Sequence, residues 1–208
     1  MKYGFFIRVS MSMEARISLS TAQLCNHYGL ITSVASGMTD AKIMDAQAGY
    51  EKAVTTTAAV LAGGNLVAAY PGIVGSLIGQ SFEGMIIDND MLGCIQRLLR
   101  GIEVTEETLS LEVIRDTVSG AGHYLNHPQT LALMRSEFLY PELGDRTTPG
   151  TWEEYGHRTI LDQAHERVHA LLHDYFPRYI DKRADGRIRS AFPIRLETAA
   201  MQPGNGRW

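Results

Sequence analysis

One short segment concentrates the side chains of this sequence that could bind a small ligand. The segment Ser36 to Gln47 (SGMTDAKIMDAQ) carries closely spaced polar side chains at Thr39, Asp40, Lys42, Asp45 and Gln47. Such a density of functional groups beside a glycine is typical of a binding loop rather than a simple connector. The segment therefore predicts ligand contact. The alternative is that Asp40 or Asp45 only caps the following helix and that Lys42 is only a solvated side chain.

Aromatic and acidic residues form a second candidate group. Tyr50 follows the first loop, while Tyr70, Phe82 and Glu83 flank a glycine-rich segment from Pro71 to Gly79. Side chains of this kind beside glycines are unusual in a simple connector. The group therefore predicts ligand contact, although each ring could instead belong to the hydrophobic core.

The glycine-rich segment does not match a nucleotide-binding motif. Its spacing, Gly72-x-x-Gly75-x-x-x-Gly79, differs from G-x-G-x-x-G, and it lacks the G-K-[ST] of a P-loop. We therefore expect a flexible loop over the mouth of a site rather than a phosphate cradle.

The sequence also contains an H-E-x-x-H pattern, His165 to His169, which in zinc hydrolases supplies two imidazole ligands and a general base. Helical periodicity places these histidines beside the expected buried stripe and turned toward solvent. The expected stripe consists of Leu161, Ala164, Val168, Leu171, Leu172 and Tyr175. We predict a solvated amphipathic helix with no bound metal, and a zinc hydrolase is the alternative.

The elements that must position these residues alternate between helix and strand. The pattern predicts helices at 18–28, 45–62 and 81–100, and strands at 30–35 and 65–70. This order is typical of parallel βα units, whose loops after the strands carry the chemistry. Further helices are predicted at 105–118, 128–138 and 152–175, followed by an extended tail over 177–208. We expect one domain over residues 1–208.

Composition excludes several classes of protein. The chain has 208 residues, 45% of them hydrophobic, and a net charge of −4, which indicates a folded core and no basic patch for nucleic acid. The start of the chain does not resemble a secretory signal, and the apolar stretches are too short to span a membrane. Cys25 and Cys94 are expected to be reduced core thiols of a cytoplasmic protein.

Several ordered sequence blocks together resemble the trimethylamine methyltransferase family. They are TDAKIMDAQAGYEK (39–52), LAGGNL (61–66), SFEGMIIDND (81–90), RLLRGIEV (97–104) and RSEF (135–138). The resemblance implies an α/β fold, the C-terminal part of a (β/α)8 TIM barrel, helix-rich with two or three parallel strands. It also implies an enzyme of one-carbon metabolism and methanogenesis that moves a methyl group from a methylamine to the Co(I) of a partner corrinoid protein. Cobalamin then belongs to the partner, and this chain binds no cofactor directly.

One position narrows the implied substrate. Family members that act on trimethylamine carry pyrrolysine in the loop that matches SGMTDAK, and Met38 stands near that position here. The chain is therefore similar to the branch without pyrrolysine, which uses quaternary amines such as glycine betaine. The resemblance implies a catalytic loop of Gly37, Met38, Thr39 and Asp40, and substrate contacts from Lys42, Asp45, Gln47, Tyr50, Tyr70, Phe82 and Glu83.

Two hypotheses follow from this resemblance. The chain is either a methyltransferase, expected to form a homo-oligomer, or an inactive fragment whose exposed strand edges need another chain to complete the barrel. The proposed site requires that the strands at 30–35 and 65–70 are adjacent and parallel. Both post-strand loops then lie at the same end.

Overall fold

A parallel pair of short strands carries the two loops of the candidate site. The computed structural model describes residues 11–176 and 179–202. Strand β1 (Ser33–Ala35) pairs in parallel with β2 (Leu66–Ala68), with Val34 opposite Val67. The prediction of adjacent parallel strands is confirmed, although each strand has only 3 residues. The α/β class with few parallel strands is likewise confirmed, whereas a complete barrel stays an expectation from the family.

The loops that follow the two strands lie together. The Gly75 amide donates to the Ala41 carbonyl at 2.7 Å, and the Ser76 amide donates to the Thr39 carbonyl at 2.9 Å. The loops 36–42 and 71–79 therefore meet at the same end of the sheet, as a right-handed βα unit requires.

The glycine-rich segment contains more structure than the flexible loop expected from its sequence. Strands β3 (Ile73–Val74) and β4 (Gly79–Gln80) pair antiparallel within it. Gly75, Ser76 and Leu77 have φ angles of 60°, 56° and 72°, so the tip turns through left-handed conformations. Gly75 adopts this conformation easily because it has no Cβ atom, and hydrogen bonds to the 36–42 loop hold Ser76 in its conformation.

Three helices support this sheet, and their ends follow from capping residues. They are α1 (Met11–His27), which begins earlier than predicted, α2 (Ala46–Leu61) and α3 (Phe82–Leu99). Asp45 caps α2 by accepting from the Ala48 amide at 3.1 Å, and Ser81 caps α3 by accepting from the Gly84 amide at 3.0 Å. Helix α1 packs on α2 and β1, and α3 packs on α2.

The helices beyond α3 differ from the prediction in several places. They are α4 (Glu106–Leu109), α5 (Leu111–Ser119), α6 (Pro128–Ser136), α7 (Pro149–Glu154), α8 (Ile160–Asp174) and α9 (Lys182–Ala191), followed by a 3₁₀ turn at Thr198–Met201. The predicted helix 105–118 is wrong as a single element, because Ser110 adopts a left-handed conformation with φ 56° and divides it. The helix predicted at 128–138 is confirmed with a slightly earlier end.

The predicted helix 152–175 is also two helices. Gly156 and His157 have φ angles of 81° and 57°, which no right-handed helix can contain. Thr159 then starts α8 with a capping box, because its hydroxyl accepts from the Asp162 amide at 3.2 Å while Asp162 Oδ2 accepts from the Thr159 amide at 2.8 Å.

The extended tail expected over 177–208 is wrong where the structure describes it, because α9 forms there. Asp181 caps this helix by accepting from the Ala184 amide at 2.7 Å. Asp185 and Arg189 form an ion pair at 2.9 Å one helical turn apart, which supports an otherwise polar helix. Residues 177–178 and 203–208 lie outside the described part of the chain.

Helix α8 packs against α3 through part of the expected stripe. Ala164 and Val168 are buried, and Leu171 and Leu172 are half-buried. Leu161 and Tyr175 are exposed, so the buried stripe is shorter along the helix than predicted, at both ends.

Two simpler expectations can also be compared with the described residues. Cys25 and Cys94 are free thiols, but Cys94 is exposed and so is not a core residue. Among the helices of the described residues, none is long and apolar enough to cross a membrane.

Candidate functional site

A buried ion pair lies beneath the two post-strand loops and connects them. Lys52 Nζ in α2 lies 2.8 Å from Asp88 Oδ2 in α3, and both side chains are almost completely buried. The same ammonium group donates to the carbonyl oxygens of Gly37, at 2.9 Å, and Tyr70, at 3.3 Å. Asp88 Oδ2 also accepts from the Gly72 amide at 2.7 Å. One ion pair therefore fixes the backbone of both loops.

Lys52 reaches this position because it stands on the buried face of α2. That face consists of Ala48, Lys52, Thr55, Thr56 and Ala59. A lysine on such a face must be paired, since an isolated buried charge is very costly. Our sequence analysis did not select Lys52. Its position four residues after Ala48 on a stripe of small residues was the signal that could have found it.

Gly37 brings the first loop into direct contact with Ala69, the residue that follows β2. Its φ is 69°, and a Cβ atom at this position would lie 2.1 Å from the carbonyl oxygen of Ala69. Its amide donates to Thr55 Oγ1 at 3.0 Å. The predicted catalytic loop thus begins at a residue that is packed against the backbone of Ala69 and leaves no room for a side chain.

The polar side chains of the first loop converge on a glutamate that sequence analysis missed. Glu51 Oε2 accepts from Thr39 Oγ1 at 2.5 Å and from the Asp40 amide at 3.0 Å. Gln47 Nε2 donates to Glu51 Oε1 at 3.0 Å. Of the predicted site residues, Thr39 therefore holds the loop in place through Glu51, together with the Asp40 amide, whereas Gln47 contacts the same carboxylate from within α2. The sequence feature that could have pointed to Glu51 is its position in α2, directly before Lys52.

The charged residues of the same segment have different surroundings. Ser76 Oγ donates a hydrogen bond to Asp40 Oδ1, which joins the two loops once more. Lys42 is exposed, and its Nζ donates to the Asp40 carbonyl at 2.5 Å. Asp45 caps α2. The sequence analysis had given this role and ligand contact as alternatives. Contact of these residues with a ligand stays a prediction.

The three aromatic candidates are accessible but lie on different elements. Tyr50 in α2 is 53% exposed, Tyr70 after β2 is 40% exposed, and Phe82 at the start of α3 is 50% exposed. Tyr70 has a φ of 42°, and its carbonyl accepts from Lys52 Nζ. Tyr70 is thus the ring most closely tied to the buried ion pair.

Glu83 connects this region with the H-E-x-x-H helix. His165 Nδ1 lies 2.9 Å from Glu83 Oε1, and Ser81 Oγ donates to Glu83 Oε2 at 2.9 Å. These hydrogen bonds, that from His165 foremost, lower the pKa of Glu83. His165 Nε2 also lies 3.1 Å from His169 Nε2, with the His165 side chain 59% exposed.

His165 and His169 are exposed, as the drift from the buried stripe had indicated, but His165 also contacts Glu83 of α3, which that drift did not predict. Within residues 11–176 and 179–202, no group of three His, Cys, Asp or Glu side chains is arranged to hold a metal ion. The absence of zinc in the protein stays a prediction.

Two cavities flank the 36–42 loop. The larger, of about 560 Å³, lies between this loop and α8 and is lined in part by Lys42, Glu83 and His165. The smaller, of about 300 Å³, lies between α1 and β1 and is lined in part by Glu14 and Met38. Predicted site residues therefore line both cavities, with Met38 at one and Lys42 and Glu83 at the other.

Glu14 is the most perturbed acid of the site. It is buried, and this burial raises the pKa of its carboxyl from 4.5 to about 7. A hydrogen bond from the Met38 backbone and the charge of Lys52 act in the opposite direction, whereas Glu51 and Asp40 add to the increase. Sequence analysis missed Glu14, since one glutamate in an amphipathic helix gives no signal of burial.

Comparison with known proteins identifies the family. The sequence model of the trimethylamine methyltransferase (MTTB) family matches residues 8–199. Glycine betaine methyltransferase of Desulfitobacterium hafniense (strain Y51) is 32% identical over 180 residues, which cover 86% of this chain and 37% of that protein. Trimethylamine methyltransferase MttB of Methanosarcina thermophila is 37% identical over 165 residues, covering 79% of this chain and 34% of that protein.

A second MttB, from Desulfitobacterium hafniense (strain DSM 10664 / DCB-2), is 33% identical over 174 residues, which cover 84% of this chain and 34% of that protein. The chain belongs to the trimethylamine methyltransferase family. It spans about a third of the length of these curated relatives.

Proposed function

We propose that this chain takes part in methyl transfer from a quaternary methylamine, such as glycine betaine, to a partner corrinoid protein. The proposal rests on the charged side chains in and around the 36–42 loop, in a chain that belongs to this family. Asp40 lies in that loop and Glu51 and Glu14 lie beside it, whereas Lys42 of the loop is exposed and the nearby buried cation, Lys52, is already paired with Asp88. These three carboxylates outnumber the exposed Lys42, and this excess favours a cationic ligand.

The residue at position 38 favours a quaternary over a tertiary amine. A tertiary amine becomes a good leaving group only after it is quaternised or protonated, and the Met38 thioether offers no group that does this. A quaternary ammonium ion is already activated, so the protein needs only to hold the cation and orient its methyl group. The partner's corrinoid, when docked, supplies the nucleophilic Co(I).

Two features of the chain would serve this task. The fixed backbone of the loops would orient the ligand, and the accessible aromatic rings would bind it. The Lys52–Asp88 pair fixes both loops, which keeps a bound methyl group in one orientation. Tyr50, Tyr70 and Phe82 offer aromatic faces to the cation. Leu77 and Ile78, at the tip between β3 and β4, are 55% and 76% exposed, and such an apolar tip suits contact with a partner protein.

The direct test compares two amines with the same partner. The purified chain is incubated with a Co(I)-loaded corrinoid protein and either glycine betaine or trimethylamine, and the absorbance of the corrinoid is followed. We expect turnover with glycine betaine and none with trimethylamine. Equal rates with the two amines would contradict the proposed preference.

The second candidate, an inactive fragment that another chain must complete, is favoured by the length comparison. The chain spans 37% of glycine betaine methyltransferase, and two parallel strands alone are a small part of a buried parallel sheet. Co-expression with the part of that enzyme that this chain does not cover separates the two candidates. Activity only after co-expression would establish the fragment.

A further inference from the structure

A series of hydrogen bonds connects the two histidines of the H-E-x-x-H pattern with the first turn of α3. His165 Nδ1 lies 2.9 Å from Glu83 Oε1, and His165 Nε2 lies 3.1 Å from His169 Nε2. The two histidines stand one turn apart on α8, so they share a face of this helix, and α8 packs on α3. Neither histidine has a role in the proposed function.

The carboxylate at one end of this series determines where the protons lie. Its hydrogen bonds, that from His165 foremost, lower the pKa of Glu83, so this group carries no proton at neutral pH. Two acceptors would repel each other at 2.9 Å, and His165 Nδ1 therefore carries the proton that it donates to Glu83. In a neutral ring His165 Nε2 is then an acceptor, and His169 Nε2 donates to it. His169 thus supports the tautomer of His165 that binds Glu83.

Glu83 is held from two sides at the wall of the larger cavity. Its Oε2 atom accepts from Ser81 Oγ at 2.9 Å, and its Oε1 atom accepts from His165. Glu83 and His165 both line the cavity of about 560 Å³, as Lys42 does. A carboxylate can accept about four hydrogen bonds, so these two contacts fix its orientation and still leave acceptor sites for a ligand.

The other carboxylates of this cavity are engaged elsewhere. Asp162 Oδ2 accepts from the Thr159 amide at 2.8 Å in the capping box of α8. Glu166 forms an ion pair with Arg158. Glu83, in contrast, is held by two neutral donors, a hydroxyl and an imidazole, which orient its negative charge without cancelling it.

We propose that His165 is a positioning residue of the methyl-transfer site, which holds the Glu83 carboxylate toward the ligand cavity, and that His169 supports the tautomer of His165 that can do so. The inference rests on the proposed function, because Glu83 is one of the substrate contacts that the family resemblance implies. The H-E-x-x-H pattern of this chain then orients a carboxylate through hydrogen bonds instead of holding a metal ion. A contact that only joins α8 to α3 would not depend on which ring nitrogen carries the proton.

Two variants of His165 separate the N–H donor from the ring. The side-chain amide in His165→Asn places an N–H as many bonds from the backbone as Nδ1, whereas His165→Leu has no donor. Glycine betaine is titrated calorimetrically into the intact chain in the presence of EDTA. We expect a Kd within about twofold of the wild-type value for His165→Asn and a Kd raised by roughly threefold to tenfold for His165→Leu. An unchanged Kd in His165→Leu, or equal losses in both variants, would overturn the proposal.

A control variant lies on the same helix. His173 is near the end of α8, where its Nδ1 atom lies 2.6 Å from Asp174 Oδ1, and His173→Leu should leave the Kd unchanged. A loss of affinity in this variant equal to that of His165→Leu would overturn a specific role of His165.

The role of His169 is tested in two backgrounds. His169→Phe should raise the Kd in the wild type, by less than His165→Leu does, and should have no effect in the His165→Asn background, because an amide N–H needs no tautomer. Equal effects in the two backgrounds would overturn this part of the proposal. Nitrogen-15 NMR of the imidazole rings at about pH 8 gives a readout without ligand, and we expect the His165 proton on Nδ1. A proton on Nε2 of His165 in the wild type would overturn the proposal.

The outcomes separate this inference from the proposed function. Thermal unfolding verifies that the variants fold. A wild-type chain that binds no glycine betaine would contradict the proposed function and this inference with it. Binding that is unaffected by His165→Leu would contradict this inference alone. Wild-type binding that EDTA abolishes would indicate a metal ion at the histidines and overturn the positioning role.

Discussion

Lys52 Nζ in α2 lies 2.8 Å from Asp88 Oδ2 in α3, and this contact also joins the backbone of the two loops after β1 and β2. The pair is thus part of the fold and of the candidate site at once. An ammonium ion so deeply buried is stable only because a carboxylate and two carbonyl oxygens surround it.

Removing one member of this pair should strongly destabilise the folded protein. We expect Asp88→Asn or Lys52→Met to lower the free energy of unfolding by about 3 to 5 kcal/mol, since either change leaves the charge of the other residue buried without a counter-charge. Urea denaturation measures this. The exposed pair of Glu112 and Arg115, 3.7 Å apart, is the matched control, and Glu112→Gln should leave the midpoint unchanged. Similar midpoints for all variants would contradict the interpretation.

Gly37 should tolerate no side chain. We expect Gly37→Ala to cost about 2 kcal/mol or more, because its φ is 69° and the new Cβ atom would lie 2.1 Å from the Ala69 carbonyl oxygen. Gly49→Ala is the control, since Gly49 lies in α2 with open space around it and should gain about 0.5 to 1 kcal/mol. Both values come from urea denaturation, and a stable Gly37→Ala variant would refute the close approach of the loop to Ala69.

The stability of the protein should decrease as the pH rises through neutrality. The pKa of Glu14 is raised from 4.5 to about 7 in the folded state, so between these values the folded protein holds a proton that the unfolded chain releases. Protonated Glu14 therefore stabilises the fold at low pH, and this contribution is lost as the pH rises from about 5 to 8.

The variant Glu14→Gln isolates this effect from that of other groups. The difference in free energy of unfolding between wild type and variant should change by about 1 to 3 kcal/mol between pH 5 and 8 in favour of the variant. Urea denaturation at a series of pH values measures it. A difference that is constant over this range would show that the pKa of Glu14 is not raised.

Tyr70 should contribute its ring to binding of the quaternary amine. We expect Tyr70→Ala to lower turnover of glycine betaine by roughly tenfold or more, which corresponds to about 1.4 kcal/mol of cation–π interaction. Tyr70→Phe keeps the ring and the same Cβ atom in the backbone conformation with φ 42°, so it should retain most of the activity. Corrinoid absorbance reports both rates. Equal losses in the two variants would exclude a role for the aromatic face.

Local sequence signals were enough for the elements around the sheet. Asp45 and Ser81 marked the starts of α2 and α3 correctly, because a cap depends only on residues within one turn. The breaks at Ser110 and at Gly156 were missed. Ser110 is a residue type that also occurs inside helices, and one glycine did not outweigh the helical pattern on both sides of it.

The candidate site was less predictable than the fold because its contacts join distant parts of the chain. The 36–42 loop was selected for ligand contact, which stays a prediction, and its supports, Glu51 and Lys52, were not selected. Asp88 comes 36 residues after Lys52, so no sequence periodicity links the two. The burial of Glu14 depends on how α1 packs on β1 and α2, which a single sequence does not specify.

The anchoring of two loops by one ammonium group has a consequence for how this scaffold can diversify. Inserting or deleting a residue between Gly37 and Asp40 would move a carbonyl that Lys52 needs, so changes in length there should be selected against. The tip at Ser76 to Ile78 makes no contact with Lys52, but the hydrogen bonds of Ser76 to Thr39 and Asp40 attach it to the same loop, so a change of length is better tolerated at Leu77 and Ile78 than before Ser76. New ligand preferences would therefore arise through exchange of side chains at positions such as Met38, on a backbone whose path is inherited unchanged.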